Sequence, residues 1–441
     1  MERPVSTAPP SHQRAAKHDF RLLWWANAAD GVGTQATGAV LPLLLLGLGN
    51  SPQVVGLVAG VSTAAGLVLG PLVAVPVDRG ARRRVMLGSA SVAATAMGCA
   101  ALALTAARPP LGLVLAAVLV ERVATACFEA ASRGTVALVC PPPEQPRAVG
   151  RLAAADQGAL IVGPVLGGVL YQASRALPFV LDALSYAVGA LCVRAMRTDL
   201  GVPAPRERGK GLLREGAAGL ALVRSSPLLR LVLVWTATVN LVVVTLYFGA
   251  LFALQHGGHG GGVLGAVLAA SGAAGLAGSL AAPRIARRWG VPRVVTGATW
   301  LLVPLTGALA AVTAGATGVG GAGAGPWADR WTLAWACGVL FCLVCLLTPP
   351  ASVALQARAI QSTAPALQAR TGAVLATATT GAAALAPVLA GVLAGRVATY
   401  APAVLCGVTL ALLALHTRRR TVRAALANGP AGPTASAEVP V

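Results

Sequence analysis

Charge is what this 441-residue chain has least of: Asp, Glu, Lys and Arg together make up 11% of it, against ~25% in an ordinary soluble protein. Acids are scarcest, at 14 against 34 Lys plus Arg. Aromatic residues amount to 4%, too few to favour an aromatic cage for a cation. So little polar surface could not cover a soluble domain, and disorder is excluded for all but the ends, because its signature is low hydrophobicity. The net charge of +20 offers no long basic face, since the basic residues stand in small clusters between apolar runs. A nucleic-acid partner is therefore not expected. No Walker-type phosphate loop is present, which argues against direct ATP drive, and no nucleophile–base set suggests an enzyme. Most of the eight Cys sit inside apolar runs, where a free thiol behaves as a small hydrophobe. Cys342-x-x-Cys345 lacks a second pair and His256-Gly-Gly-His259 lacks a third ligand, so neither a metal nor another cofactor is expected. A cleavable signal peptide is not evident either, because the first apolar run is too long for one.

What the chain does have is apolar length. Hydrophobic residues make up 56% of it and its mean hydropathy is +0.74. A membrane-spanning helix takes about 20 apolar residues. Twelve such spans can be read, at roughly 21–48, 53–76, 85–106, 111–139, 152–172, 177–196, 229–254, 261–282, 293–317, 331–356, 371–395 and 400–417. Their apolar runs are continuous rather than alternating, which favours helices over a barrel. With the N-terminus placed inside, all but six of the 34 Lys and Arg fall in cytoplasmic segments. Arg108, Arg175, Arg330 and Arg396 go one to each of four outer loops, and Arg122 and Arg133 lie within the fourth span. That bias predicts both termini in the cytoplasm. Trp24, Trp25, Trp235, Tyr247, Trp327, Trp331 and Trp335 fall near span ends or outer segments, where aromatic anchors belong.

The chain divides in the middle. Residues 1–20 read as a cytoplasmic tail, 21–196 as a first six-helix bundle and 197–228 as an Arg- and Pro-containing cytoplasmic linker. Within that linker, Gly211–Arg224 could form an amphipathic helix on the inner leaflet. Residues 229–417 read as a second six-helix bundle and 418–441 as a disordered cytoplasmic tail. The bundles echo each other: Gly163-Pro164-Val165-Leu166-Gly167-Gly168-Val169-Leu170 recurs as Ala386-Pro387-Val388-Leu389-Ala390-Gly391-Val392-Leu393. A fainter echo links Asp78-Arg79-Gly80-Ala81-Arg82-Arg83 with the 283–288 segment. Duplicated six-helix halves are a transporter design, with the binding site where the repeats meet. The expected fold is an all-α membrane protein of twelve helices in two pseudo-symmetric halves.

An ionisable group at mid-bilayer costs roughly 2.5–3.5 kcal/mol on insertion scales, so each one needs a reason. Asp30 lies about mid-depth in span 1; it either faces a cavity, binding a proton or a cationic group, or caps a break at Gly31-x-Gly33 or hydrogen-bonds a neighbouring helix. Glu121 and Arg122 lie at similar depth in span 4, with Glu129 and Arg133 further along. Arg122, Glu129 and Arg133 share a face and could form a self-neutralising ladder. Alternatively Glu121 or Glu129 exchanges a proton while Arg122 tunes it. Asp182 in span 6 reads as a structural acid that bonds between helices. The second half has no acid in any span, so a carboxylate that carries a coupling proton belongs to the first. Gly163, Pro164, Gly167 and Gly168, with Gly56-x-x-x-Gly60, suit close helix approach.

These residues resemble the major facilitator superfamily over nearly the whole chain. Asp78-Arg79-x-x-Arg82-Arg83-Arg84 resembles that family's cytoplasmic loop motif, and Gly163-Pro164-x-x-Gly167-Gly168 its antiporter motif. Asn27-x-x-Asp30-Gly31, Phe179-x-x-Asp182-Ala183-x-Ser185-Tyr186 and Pro227-Leu228-Leu229-Arg230 resemble the branch of macrolide-efflux and enterobactin-exporter proteins. Where the family usually follows its fourth-span Arg with Gln and Gly, this chain follows Arg122 with Thr125 and Ala126. The resemblance implies a cytoplasmic gate at Asp78, Arg79, Arg82 and Arg83. It also implies proton-coupled export of a small organic molecule (drug, siderophore or metabolite) across the cell membrane. Partners would be that substrate and the bilayer, with no obligate protein partner and the proton gradient as energy source. Uptake or uncoupled facilitation on the same fold is the alternative, and a non-transporting membrane sensor or scaffold is the alternative of another class.

Overall fold

A computed structural model describes residues 10–76, 82–106, 108–141, 144–200, 220–256, 261–316, 330–363 and 365–419. Asp78 and Arg79, the 211–219 part of the amphipathic segment and the tail beyond residue 419 lie outside the described residues. The described residues form twelve long α-helices and no strand. They are α1 (Pro10–Gly47), α2 (Pro52–Pro76), α3 (Arg82–Ala103), α4 (Leu111–Val139), α5 (Gln145–Ala173) and α6 (Leu177–Ala195). Then come α7 (Pro227–His256), α8 (Gly261–Trp289), α9 (Val291–Ala316), α10 (Arg330–Gln361), α11 (Pro365–Arg396) and α12 (Ala401–Thr417). Ten are long and apolar enough to cross a membrane; α12 and the Pro52–Val68 part of α2 are shorter apolar stretches.

Local chemistry sets the helix ends. Pro10, Pro52, Pro146, Pro178, Pro227, Pro292, Pro365 and Pro402 each stand at the first or second helical position. There the missing N–H costs nothing and the fixed φ suits a helix. Gly290, at φ 75°, makes the sharp turn from α8 into α9. Prolines inside helices, such as Pro164, Pro304 and Pro387, are tolerated in lipid because neighbouring groups can satisfy the freed carbonyls.

The chain forms two compact units: residues 1–50, 61–207 and 260–269 make the first, and residues 51–60, 208–259 and 270–441 the second. In the first, α1 packs on α5 and α6, and α3 on α4 and α6. Phe20, Leu23, Met86, Phe128, Val193 and Met196 are buried at one end of this unit. In the second, α7 packs on α11 and α12, and α9 on α10 and α12. The same order of partners thus recurs, first helix on fifth and sixth and third on fourth and sixth, as a duplicated design requires.

Within each unit, glycine lets helix ends pack closely. The first turns of α2 belong to the second unit: a Cβ at Gly60 would lie 2.5 Å from Val388 and 2.7 Å from the Ala384 carbonyl, and Gly56 and Gly391 meet the Pro387 and Pro52 carbonyls more closely still. The first turns of α8 belong to the first unit, where a Cβ at Gly265 would lie 3.2 Å from the Gly168 Cα. Small residues let helix backbones touch where lipid supplies no hydrophobic drive.

Candidate functional site

The first unit carries a buried polar cluster on α1, α4 and α6. Glu121 on α4 is 1% exposed, and its carboxylate is well partnered. Tyr186 on α6 donates its hydroxyl to Oε1 at 2.6 Å, and the Thr125 hydroxyl lies 2.9 Å from the same oxygen. Oε2 faces Arg122 Nε at 3.1 Å. Thr34 on α1 lies 3.0 Å from the Tyr186 hydroxyl, and Thr125 lies 2.8 Å from it. Tyr186 has one proton and gives it to Glu121, so Thr34 is the donor to Tyr186, while the single proton of Thr125 serves either Glu121 or Tyr186. The chain Thr34→Tyr186→Glu121 therefore joins three helices and ends on an ion pair.

Two further acids border this chain. Asp30 on α1 is buried, close to the Tyr186 hydroxyl and within reach of the charges of Glu121, Glu129 and Arg122. Its Oδ1 has no hydrogen-bond partner. Asp182 on α6 is 0% exposed, and its Oδ2 likewise has none. Thr37 on α1 is a side-chain hydrogen-bond neighbour of this carboxylate; Ser185 Oγ lies 3.5 Å from its Oδ1, a long contact, while the same hydroxyl sits 2.7 Å from the Asp182 backbone carbonyl. Glycine at residue 33 lets Asp182 lie close against α1: a Cβ there would lie 2.6 Å from Asp182 Oδ1 and 2.9 Å from Ser185 Cβ. A buried carboxyl oxygen without a donor is expensive unless a proton or an incoming ligand supplies one. Asp30 and Asp182 are thus poised to receive something, whereas Glu121 is already satisfied.

The structure brings together Asp30, Glu121, Arg122 and Asp182. It gives Arg122 the adjacent Glu121 as its ion-pair partner, of the two acids, Glu121 and Glu129, that the sequence left open. A long guanidinium stem can fold sideways to a neighbour whose carboxylate is buried and needs charge. Arg122 itself remains partly open, with 30% of its side chain exposed. Glu129 is exposed, and the side chain of Arg133 lies outside the described ones. Thr34, Thr125, Ser185, Tyr186 and Gly33 carry much of the geometry. Of these, Ser185 and Tyr186 stood in a recognisable motif, and Thr125 stood out as a departure from the family pattern.

The other predicted residues lie apart from the cluster. Gly163 and Gly167 seat α5 against the α1 backbone. A Cβ at Gly163 would fall 3.0 Å from the Val32 carbonyl, and one at Gly167 would fall 2.6 Å from the Ala36 carbonyl. Pro164 and Gly168 face Gly265. Arg82 is buried, and Arg83 donates to the carbonyls of Val193 at 3.3 Å, Arg194 at 3.4 Å and Met196, closing the C-terminus of α6. A cation there also meets the negative end of the helix dipole. Beside it, the fully buried Asp19 accepts from the Arg197 N–H at 3.0 Å and from the N–H and hydroxyl of Thr198, both at 2.6 Å. This clamp ties the start of the linker to α1, and no sequence motif announced it.

Residues 23–319 match the profile of the Major Facilitator Superfamily. The chain belongs to this family of membrane transporters. No curated protein matches it in sequence. Solved structures show the same fold at low identity. A bacterial homologue of the iron transporter ferroportin, in an inward-facing state, is 12% identical, with a TM-score of 0.67, and the match covers 90% of this chain and 98% of that one. A bacterial homologue of the human lysosomal transporter Spinster is 14% identical, with a TM-score of 0.65 and coverage of 95% and 98%. The nucleoside transporter NupG is 13% identical, with a TM-score of 0.66 and coverage of 91% and 98%. Family and fold make the chain a multi-pass membrane protein, a transporter rather than an enzyme.

Proposed function

We propose that this transporter exports a small organic molecule from the cytoplasm by alternating access, driven by protons that enter at the buried acids of the first unit. The observation that carries the reading is the Thr34→Tyr186→Glu121 chain with Asp30 and Asp182 beside it. Protonation of Glu121 would remove the anion that Arg122 and Tyr186 both serve. The ion pair and the charge-assisted bond would weaken together, loosening the seam between α1, α4 and α6. A proton on Asp30 or Asp182 would instead supply the donor those oxygens lack. Proton arrival and helix packing are thereby linked through named atoms. The described residues of the second unit contain no Asp or Glu, which supports confining the proton step to the first. The export direction rests on the likeness of Gly163-Pro164-x-x-Gly167-Gly168 to an antiporter motif, and the cell-membrane location with both termini inside rests on the Lys and Arg bias.

The test is a panel of fluorescent organic compounds in a host stripped of its own pumps, with and without a protonophore. Wild type should lower accumulation of at least one compound in a protonophore-sensitive manner. Asp30→Asn and Glu121→Gln should abolish that sensitivity. If both variants expel the same compound as fast as wild type, with unchanged protonophore response, the coupling reading is wrong.

A further inference from the structure

The second unit has a half-open cavity of about 310 Å³, lined by α7, α10, α11 and Thr363. That lies near the lower end of the ~300–1,000 Å³ spanned by small-molecule sites. Its polar lining is Thr236, Asn240, Gln356, Thr363, Thr371 and Thr379, with Val232 and Leu375 among the apolar walls; Thr363 donates its proton to the Ala359 carbonyl at 2.7 Å. Among the described residues no charged side chain lines it.

The hydrogen bonds of the lining decide what it can still offer. Thr236 donates its hydroxyl proton to the Val232 carbonyl at 2.6 Å, and Thr379 donates to the carbonyls of Leu375 and Ala376 at 3.0 and 2.9 Å. Asn240 spends one amide N–H on the Thr236 carbonyl at 3.0 Å, and Gln356 spends one on Ser352 Oγ at 3.0 Å. What Thr236, Thr363 and Thr379 retain is oxygen lone pairs; the two amides retain a carbonyl oxygen and one N–H each. Among these five groups the surplus is in acceptors, so a guest that meets them must bring donors. With no carboxylate among the described lining residues, a cation would enter without a counter-charge from them, and with no Lys or Arg among them an anion would fare no better. Apolar wall between the acceptors suits a molecule with a hydrocarbon frame.

We propose that this cavity binds an uncharged, hydroxyl-bearing part of the transported molecule. The inference rests on the transport reading above and adds a substrate class to it: a neutral polyol or glycoside moiety, with charge handling left to the acids of the first unit.

The test is saturation-transfer NMR on the full chain in nanodiscs, a readout suited to weak binding. Three probes share one ring: methyl glucoside (neutral), methyl glucuronide (anionic) and glucosamine (cationic). The neutral probe should bind and the charged ones should bind at least ~10-fold more weakly, the scale expected from an uncompensated polar or charged group. Thr236→Val with Thr379→Val keeps the side-chain shape and should weaken the neutral probe by a similar factor. Ala376→Leu, at an exposed lining position, should block it sterically and serves if the double variant fails to fold. A glucuronide or glucosamine that binds as well as the glucoside overturns the proposal. So does a panel in which no neutral probe binds, or a double variant that binds like wild type. The NMR signal needs no transport, so loss of the proton-coupling reading in the efflux assay would leave this result standing, and the reverse holds too.

Discussion

Tyr186→Phe removes one oxygen atom from the middle of the buried chain, and the consequences can be counted. Glu121 loses its shortest contact, the 2.6 Å bond from the phenol, while keeping Thr125 and Arg122. Hydrogen bonds to a charged group contribute about 1.5–3 kcal/mol net. Thr34 loses its acceptor at 3.0 Å, a neutral bond worth about 0.5–1.5 kcal/mol. The ring remains, so no cavity opens. The variant should lose about 2–4.5 kcal/mol of stability in reversible unfolding from mixed micelles, the sum of those two contributions. Thr34→Val should lose about 0.5–1.5 kcal/mol, and the double variant should lose little more than Tyr186→Phe alone, giving a coupling energy near the value of the neutral bond. A Tyr186→Phe chain within about 0.5 kcal/mol of wild type, the ordinary scatter of inert surface changes, would refute the account of Glu121 as an anion held by Tyr186. Strict additivity of the two single variants would remove Thr34 from the chain.

Two further outcomes come from the same packing. Gly33→Ala places a methyl group 2.6 Å from Asp182 Oδ1; overpacking of this kind costs about 1–3 kcal/mol, partly offset by about 1 kcal/mol of helix propensity, so melting in nanodiscs should fall modestly. Gly33→Ser should fall further, and an unchanged melting temperature in both would show that α1 and α6 do not meet as described. Asp19→Ala strips three donors at Arg197 and Thr198 of their acceptor, which should raise protease cleavage of the 197–228 linker at low protease while Asp19→Asn stays between the two; equal cleavage of all three chains would contradict the clamp.

Parts of this were open to view in the sequence and parts were not. Twelve continuous apolar runs give twelve helices, because run length and hydropathy are properties of neighbouring residues alone. Asp30, Glu121 and Asp182 stood out because a carboxylate in an apolar run needs a reason. Which acid Arg122 pairs with did not stand out. It depends on how a flexible stem turns and on how α4 is rotated against α1 and α6, and spacing along one helix reports neither. Tyr186 looks like an ordinary aromatic until Glu121 is placed beside it. Asp19 was read as part of a tail, but α1 starts at Pro10 and carries this residue into the packed region beside Arg197, far away in sequence. The close packing of the start of α2 was foreshadowed by glycines at 56 and 60, whose partners around Pro387 no local pattern could name.

The central claim is that the acids of the first unit exchange protons with water while buried in the membrane. Infrared difference spectra of the full chain in lipid, recorded on acidification, report it most directly through the carbonyl stretch of protonated carboxyl groups. The account predicts a band that is diminished in Asp30→Asn and in Glu121→Gln and shifted in Tyr186→Phe, which changes the hydrogen bonding of Glu121. An acid-induced spectrum that is identical in wild type and all three variants would contradict it.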